Sequence, residues 1–198
     1  MKHPSLTTTT MVFSLVLAST ALPFQSAQAA NYVIDTARAH AFVQFRVQHL
    51  GFSWLYGRFN AFNGDFSYDA ENPKASKVNV TIDTSSLDTN HGERDKHLRS
   101  ADFLDTAKFP KATFVSTGLT PNGDGSAKLS GDFTLHGVTK PITIEVKKMG
   151  EGKDPWGGYR AGFEGSTTIT MADYGITYNL GPASTTAEIL LTFEGVRQ

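Results

Sequence analysis

The chain of 198 residues has no cysteine, which excludes thiol catalysis, thiolate metal sites and disulfide staples. It also lacks a charge excess, with 18 Lys and Arg against 19 Asp and Glu. No basic run offers itself to nucleic acid or to anionic lipid headgroups. Beyond residue 30 no apolar run is long enough to cross a bilayer, so no stable membrane insertion is expected. There is no internal repeat, low-complexity linker or domain boundary. A G-x-S-x-G nucleophile elbow is missing, and no third metal ligand stands at a diagnostic spacing. No catalytic residue, metal site or cofactor is therefore assigned.

What is present begins with an address. Lys2 supplies a positive start, an apolar stretch runs from Met11 to Leu22, and Ala27-Gln28-Ala29 fits the small-x-small cleavage pattern. The expectation is a signal peptide over residues 1–29, cleaved after Ala29. The remaining residues, 30–198, fit one exported domain, large enough to build a core without disulfides.

Most of that domain alternates apolar and polar residues with period two, the mark of a strand buried on one face. Val43, Phe45 and Val47 share a face, as do Phe62 and Phe66, then Val78, Val80 and Ile82. The same holds for Leu129 and Phe133, for Ile144 and Val146 with Ile142, for Phe163 and Ile169, and for Leu191 and Phe193 with Ile189. Lys111 to Leu119 also reads as strand, with an ambiguous face. Turns are expected at Glu71-Asn72-Pro73, at Pro121 to Gly125, between Gly137 and Pro141 with the proline at a strand start, and at Asp154 to Gly158.

About eight one-faced strands need a closed interior, either two packed sheets or one sheet curled into a barrel. Gly64, Gly131 and Gly165 fall on the apolar face, where glycine permits bending and leaves interior space; this favours an antiparallel barrel with an apolar lumen. Strands of about 10 residues, tilted by about 40°, give a lumen on the order of 25 Å long, suited to an elongated hydrocarbon.

One segment breaks the alternation. Asn90 to Asp105, NHGERDKHLRSADFLD, is dense in charge and reads as a short helix. Asn90 is placed as its N-cap with Glu93 three residues on, and Asp95–Arg99 and Glu93–His97 as i, i+4 pairs on a solvated face. Leu98, Phe103 and Leu104 anchor it, and Pro110 bars continuation. His97 with Asp95 and Arg94 is the one grouping that invites an enzyme reading; it requires these side chains to converge on the lumen. Glu93, His97 and His91 make an incomplete metal set. His136 reads as exposed, His40 and His49 as the two ends of one strand, and Trp54, Tyr56 and Trp156 as loop residues.

Several long stretches resemble the YceI-like family of exported, lipocalin-like proteins: HAFVQFRVQHLGFSWLYGRF (His40 to Phe59), VNVTIDTSSLDTNHGERDKHLRSADFLDTAKFPKATF (Val78 to Phe114), GDFTLHGVTKPI (Gly131 to Ile142), DPWGGYRAGFE (Asp154 to Glu164) and YNLGPAS (Tyr178 to Ser184). The resemblance runs from Ala30 to Val196. It implies an all-β, eight-stranded antiparallel lipocalin-like barrel with a short helical segment between strands. It also implies a periplasmic protein that binds a polyisoprenoid, such as an isoprenoid quinone precursor, or another long-chain lipid, for transport or storage, with stress-related roles in some relatives. It transfers no catalytic residues. The expected lumen set is Val43, Phe45, Val47, Phe62, Val78, Val80, Ile82, Leu129, Phe133, Ile144, Val146, Phe163, Ile169, Leu191 and Phe193. A homodimer is compatible with the sequence, and a structural or interaction protein with a filled core is the remaining alternative.

Overall fold

The computed structural model describes residues 29–198. The expected signal peptide, Ala29 apart, lies outside the described residues. Eleven strands form one antiparallel sheet: β1 (Ala30–Ile34), β2 (Ala41–His49), β3 (Ser53–Phe59), β4 (Phe62–Tyr68), β5 (Lys77–Asp83), β6 (Leu87–Asp88), β7 (Lys111–Pro121), β8 (Ser126–Leu135), β9 (Val138–Lys153), β10 (Tyr159–Thr170) and β11 (Thr186–Arg197). One α-helix, α1 (Gly92–Arg99), stands between β6 and β7.

The eleven segments are eight strands, three of them broken. β1 and β2 lie end to end along β11, with Ile34 opposite Gly195 and Ala41 opposite Phe193. β3 and β4 are parted only by Asn60 and Ala61, and β5 and β6 by a 3₁₀ turn at Thr84–Ser86. The halves keep matching neighbours: β1 pairs with β4 and β2 with β3, then β4 with β5 and β3 with β6. Pairing of β1 with β11 closes the ring. The architecture is a closed, eight-stranded antiparallel barrel with one short helix.

The sheet is interrupted on one side. β6 pairs only with β3, and β5 meets β7 only between Asn79–Val115 and Asp83–Lys111. Between β6 and β7 the chain leaves the sheet, carries α1, and returns. Thr84 receives that return, donating its N–H to Pro110 O at 3.0 Å and its hydroxyl to Phe109 O at 2.7 Å.

Local chemistry explains two departures from the pattern reading. β3 is a strand although Trp54 and Tyr56 read as loop. Trp54 and Tyr56 face outward while Phe59 faces inward, and another inward position is Gly57, where a Cβ would lie 2.2 Å from the Phe45 ring. The expected 137–141 turn is only two residues long. His136 and Gly137 both have positive φ, at 50° and 75°, so the hairpin turns tightly between Leu135 and Val138. Pro141 sits within β9, opposite Asp132. His136 is a half-buried turn residue, its Nδ1 3.0 Å from Tyr174 O and its ring against Phe109.

The core divides along the barrel. At the β1 end, Tyr32 stacks on Phe66 with centroids 4.7 Å apart, and Phe163 and Phe193 close on Phe66 at 5.5 and 5.6 Å. Gly195 makes room for that cluster, since a Cβ there would stand 2.2 Å from the Phe66 ring. Interior space expected at two other glycines is already taken. The Phe114 ring lies 2.4 Å from where a Gly131 Cβ would be, and Asn79 O closes Gly64 at 2.5 Å. These glycines seat neighbours and do not widen the lumen.

Candidate ligand-binding cavity

The rest of the barrel is hollow. A cavity of about 1050 Å³ runs through it, at the top of the ~300–1,000 Å³ range usual for small-molecule sites. Fourteen of the fifteen residues expected in the lumen line it: Val43, Phe45, Val47, Phe62, Val78, Val80, Ile82, Leu129, Phe133, Ile144, Val146, Ile169, Leu191 and Phe193. The exception is Phe163, which lies in the aromatic cluster at the sealed end with Phe66, Phe193 and Tyr68. Its parity is that of the lumen face, since Phe163 stands opposite Phe193 in an unbroken β10–β11 register; it differs in its position along the barrel.

The wall also includes residues that alternation does not reach. Leu98, Phe103 and Leu104 come from α1 and the chain after it, and Met171, Ile176 and Leu180 from the connection between β10 and β11. These segments cover the end opposite the aromatic cluster. Polar lining residues gather with them: His49, His91, Glu93, Arg94, His97 and Asn179. The cavity is therefore mostly apolar along its length, where Gln44 and Thr167 are exceptions, and more polar at its mouth.

The charged segment that contributes to this mouth is organised differently from its sequence reading. His91, not Asn90, is the N-cap, its Nδ1 accepting from the Arg94 N–H at 3.2 Å. Asn90 takes a left-handed φ of 60° and donates its N–H to Asp88 Oδ1. Neither expected i, i+4 pair forms among the described residues. Asp95 is buried and accepts from the Thr89 N–H at 2.8 Å and from the Thr89 hydroxyl at 2.5 Å. Arg94 donates to Thr89 Oγ1 and Thr89 O at 2.7 and 2.6 Å, and Arg99 donates to Leu87 O. His97 pairs with Asp102 at 3.0 Å and meets Phe103 and Tyr178 edge-on. The tertiary fold uses these charges to tie the helix to the end of β6.

That arrangement bears on the enzyme reading. Arg94 and His97 line the mouth, but the Asp95 carboxylate is committed to Thr89 and does not line the cavity. The three groups are not assembled around a reacting atom.

Electrostatic organisation is strongest away from the cavity. Arg160, nearly buried, donates to Asp35 at 2.6 Å, to Asp154 at 2.8 Å and to Glu194 at 3.0 Å. His40 lies 3.2 Å from Asp35. Burial works to raise the Asp35 carboxyl, but hydrogen bonds from Arg160 and His40 outweigh it and hold the group below the usual carboxylate range. Asp154 is likewise held down against burial, by the Gly158 N–H and Arg160. The cluster straps the 35–40 and 154–158 loops to β10 and β11 on the outside of the sealed end.

The family model for the YceI-like domain matches residues 32–196. The chain belongs to the YceI-like family. A UPF0312 protein of Ectopseudomonas mendocina (strain ymp) is 59% identical over 185 residues, covering 93% of this chain and 96% of the relative. Among solved structures, BcnA of Burkholderia cenocepacia superposes with a TM-score of 0.72 at 20% identity, covering 81% of this chain and 98% of that one. A polyisoprenoid binding domain from Saccharophagus degradans, implicated in plant cell wall breakdown, superposes with a TM-score of 0.62 at 20% identity, covering 86% and 100%. At such identities the two structures establish a shared fold. The YceI-like barrel of this chain has the same architecture around its own lining.

Proposed function

We propose that this protein is a periplasmic lipid-binding protein. It holds a polyisoprenoid, such as an isoprenoid quinone precursor, or a similar long-chain amphiphile in the barrel lumen, for transport or storage, with a role under stress. The observation that carries this reading is the cavity of about 1050 Å³ with its aliphatic and aromatic wall. At ~30 Å³ each, on the order of thirty-five waters would be needed to fill it, and they would find few hydrogen-bond partners along that wall. A hydrocarbon chain gains about 0.8 kcal/mol per buried methylene, or about 4 kcal/mol per five-carbon isoprene unit before ordering costs. Affinity then grows with tail length and needs little polar contact.

The polar mouth gives the ligand a direction. The tail extends toward the aromatic cluster, and the head group stays among His49, His91, Glu93, Arg94, His97 and Asn179. The shared fold with a polyisoprenoid binding domain supports the class of ligand. Export to the periplasm rests on the Lys2, Met11–Leu22 and Ala27-Gln28-Ala29 pattern, with residues 30–198 as the mature domain.

The test is organic extraction and mass spectrometry of protein purified natively from its own host. A polyprenyl compound near one per protein is the expected result. Its repeated absence, with no other long-chain compound in its place, overturns the reading.

A further inference from the structure

The mouth of the cavity is flanked by a surface with an unusual order of residues. At the β2–β3 turn, Leu50 and Gly51 both take left-handed backbone, with φ of 53° and 81°. Such tight turns ordinarily place Asn, Asp or Gly at the first of these positions, because a larger side chain is strained there. Here a leucine occupies it with its side chain 56% exposed, and the next residue after Gly51, Phe52, is 87% exposed. A water-facing turn has no use for either choice.

The surroundings extend the pattern. The turn leans on the 176–184 connection: Leu50 Cδ2 lies 3.9 Å from where a Gly181 Cβ would stand, and Ser184 donates to Gln48 O at 2.5 Å. That connection presents Tyr178, also exposed. The two stretches that meet at the turn, 47–57 and 174–187, contain no Asp, Glu, Lys or Arg, in a chain that is 19% charged. Behind the tip, Trp54 and Tyr56 lie exposed along the outer face of β3. Arg46 sits over the Trp54 ring at 4.3 Å and donates to the Tyr56 hydroxyl at 3.4 Å, while its Nε donates to Glu188 at 2.5 Å. At ~3.3 Å per residue, Trp54 stands about 7 Å and Tyr56 about 13 Å back from Phe52.

Apolar tip, then tryptophan, then tyrosine with arginine is the depth profile of a lipid–water interface. Aliphatic and phenyl groups enter the acyl region, while Trp and Tyr settle at headgroup level and arginine reaches phosphate. We propose that the Leu50–Phe52 tip, backed by Trp54, Tyr56 and Arg46, docks the cavity mouth onto a phospholipid bilayer. This rests on the lipid-binding reading above, because a chain insoluble in water must be loaded and released where such chains are dissolved. A protein partner would more often be met by paired charges and hydrogen-bonding groups all around an apolar centre; here the Arg46–Glu188 pair lies behind the tip, and the two stretches that form the tip carry no charged residue.

The experiment uses purified full-length protein as processed by its host, phosphatidylethanolamine–phosphatidylglycerol vesicles, and the fluorescent lumen probe N-phenyl-1-naphthylamine. Wild-type protein should co-sediment with the vesicles. The variant Phe52→Ser should bind them about tenfold more weakly or worse. Its melting temperature should hold, because the Phe52 ring is exposed. Its uptake of the probe from solution should match wild type, because Phe52 stands outside the cavity wall that Leu50 joins. Wild-type protein that ignores vesicles, or a Phe52→Ser variant that sediments as wild type does, overturns the docking proposal. So does a photo-crosslinker at position 52 that captures a second protein and no lipid. Loss of probe uptake by wild type would instead overturn the lipid-binding reading itself, so the two failures are distinguishable.

Discussion

At the sealed end of the barrel, Tyr32, Phe66, Phe163 and Phe193 pack with ring centroids between 4.7 and 5.8 Å, leaving no lumen. Along the rest of the barrel, toward the α1 end, the same kinds of strand enclose an open cavity whose wall holds Val43, Val146, Ile189 and Leu191. Both ends are built from alternating apolar residues, and both include phenylalanine. What differs is whether opposite rings can reach one another. Gly195 leaves room for the Phe66 ring at the sealed end, while the aliphatic and aromatic wall of the rest of the barrel encloses the cavity. One end is therefore solid and the other hollow.

Substitutions at the two ends should separate these roles. The largest expected effect on folding is Phe66→Ala. It removes the ring at the centre of the aromatic cluster and should cost about 3–5 kcal/mol, read by urea or thermal unfolding. Uptake of a lumen probe by the folded fraction should persist. If uptake fails while the protein remains folded, the sealed end is not separate from the site.

A smaller loss is expected from Asp35→Asn, which weakens the Arg160 cluster strapping the sealed end, by about 1–3 kcal/mol at neutral pH. The acid dependence gives it a second readout. Asp35 is more acidic folded than unfolded, so its contribution is complete above about pH 4, the unfolded carboxylate value, and is lost as pH falls through the lower folded value. The variant should therefore show a shallower fall in melting temperature below about pH 4 than wild type. Parallel acid limbs in the two proteins would remove Asp35 from the account.

Leu191→Trp should have the smallest effect on folding, below about 1 kcal/mol, because the added ring enters space already empty. Its effect on function should be the greater, with uptake of a long-chain probe falling about tenfold or more. Normal uptake would mean that the lumen near Leu191 is not where a chain lies.

Much of this was legible in the residues. Eight strands could be counted because the overlooked segments, β1, β3 and β6, continue strands whose other halves alternate clearly. Fourteen lumen positions followed from parity alone. Phe163 has the same parity and faces inward, but it packs the sealed end, and parity does not tell one end of the barrel from the other. The helix was visible by its charge density, but its pairings were not. Local spacing favours Glu93–His97 and Asp95–Arg99, whereas the folded chain offers Thr89 to Asp95 and Asp102 to His97. Gly131 appeared to open the interior, and only the position of Phe114, on a neighbouring strand, shows that the space is filled.

The sequence by itself determined a one-faced β architecture, its family and the absence of thiol chemistry. Those properties depend on residue type and on spacing along one chain. Tertiary structure decided which end is solid and which is hollow, how the charged segment ties α1 to the barrel, and that Leu50, Phe52, Trp54 and Tyr56 stand in order beside the mouth. Each of these depends on distances between strands, fixed by closure of the ring, and no periodicity within a single strand records them.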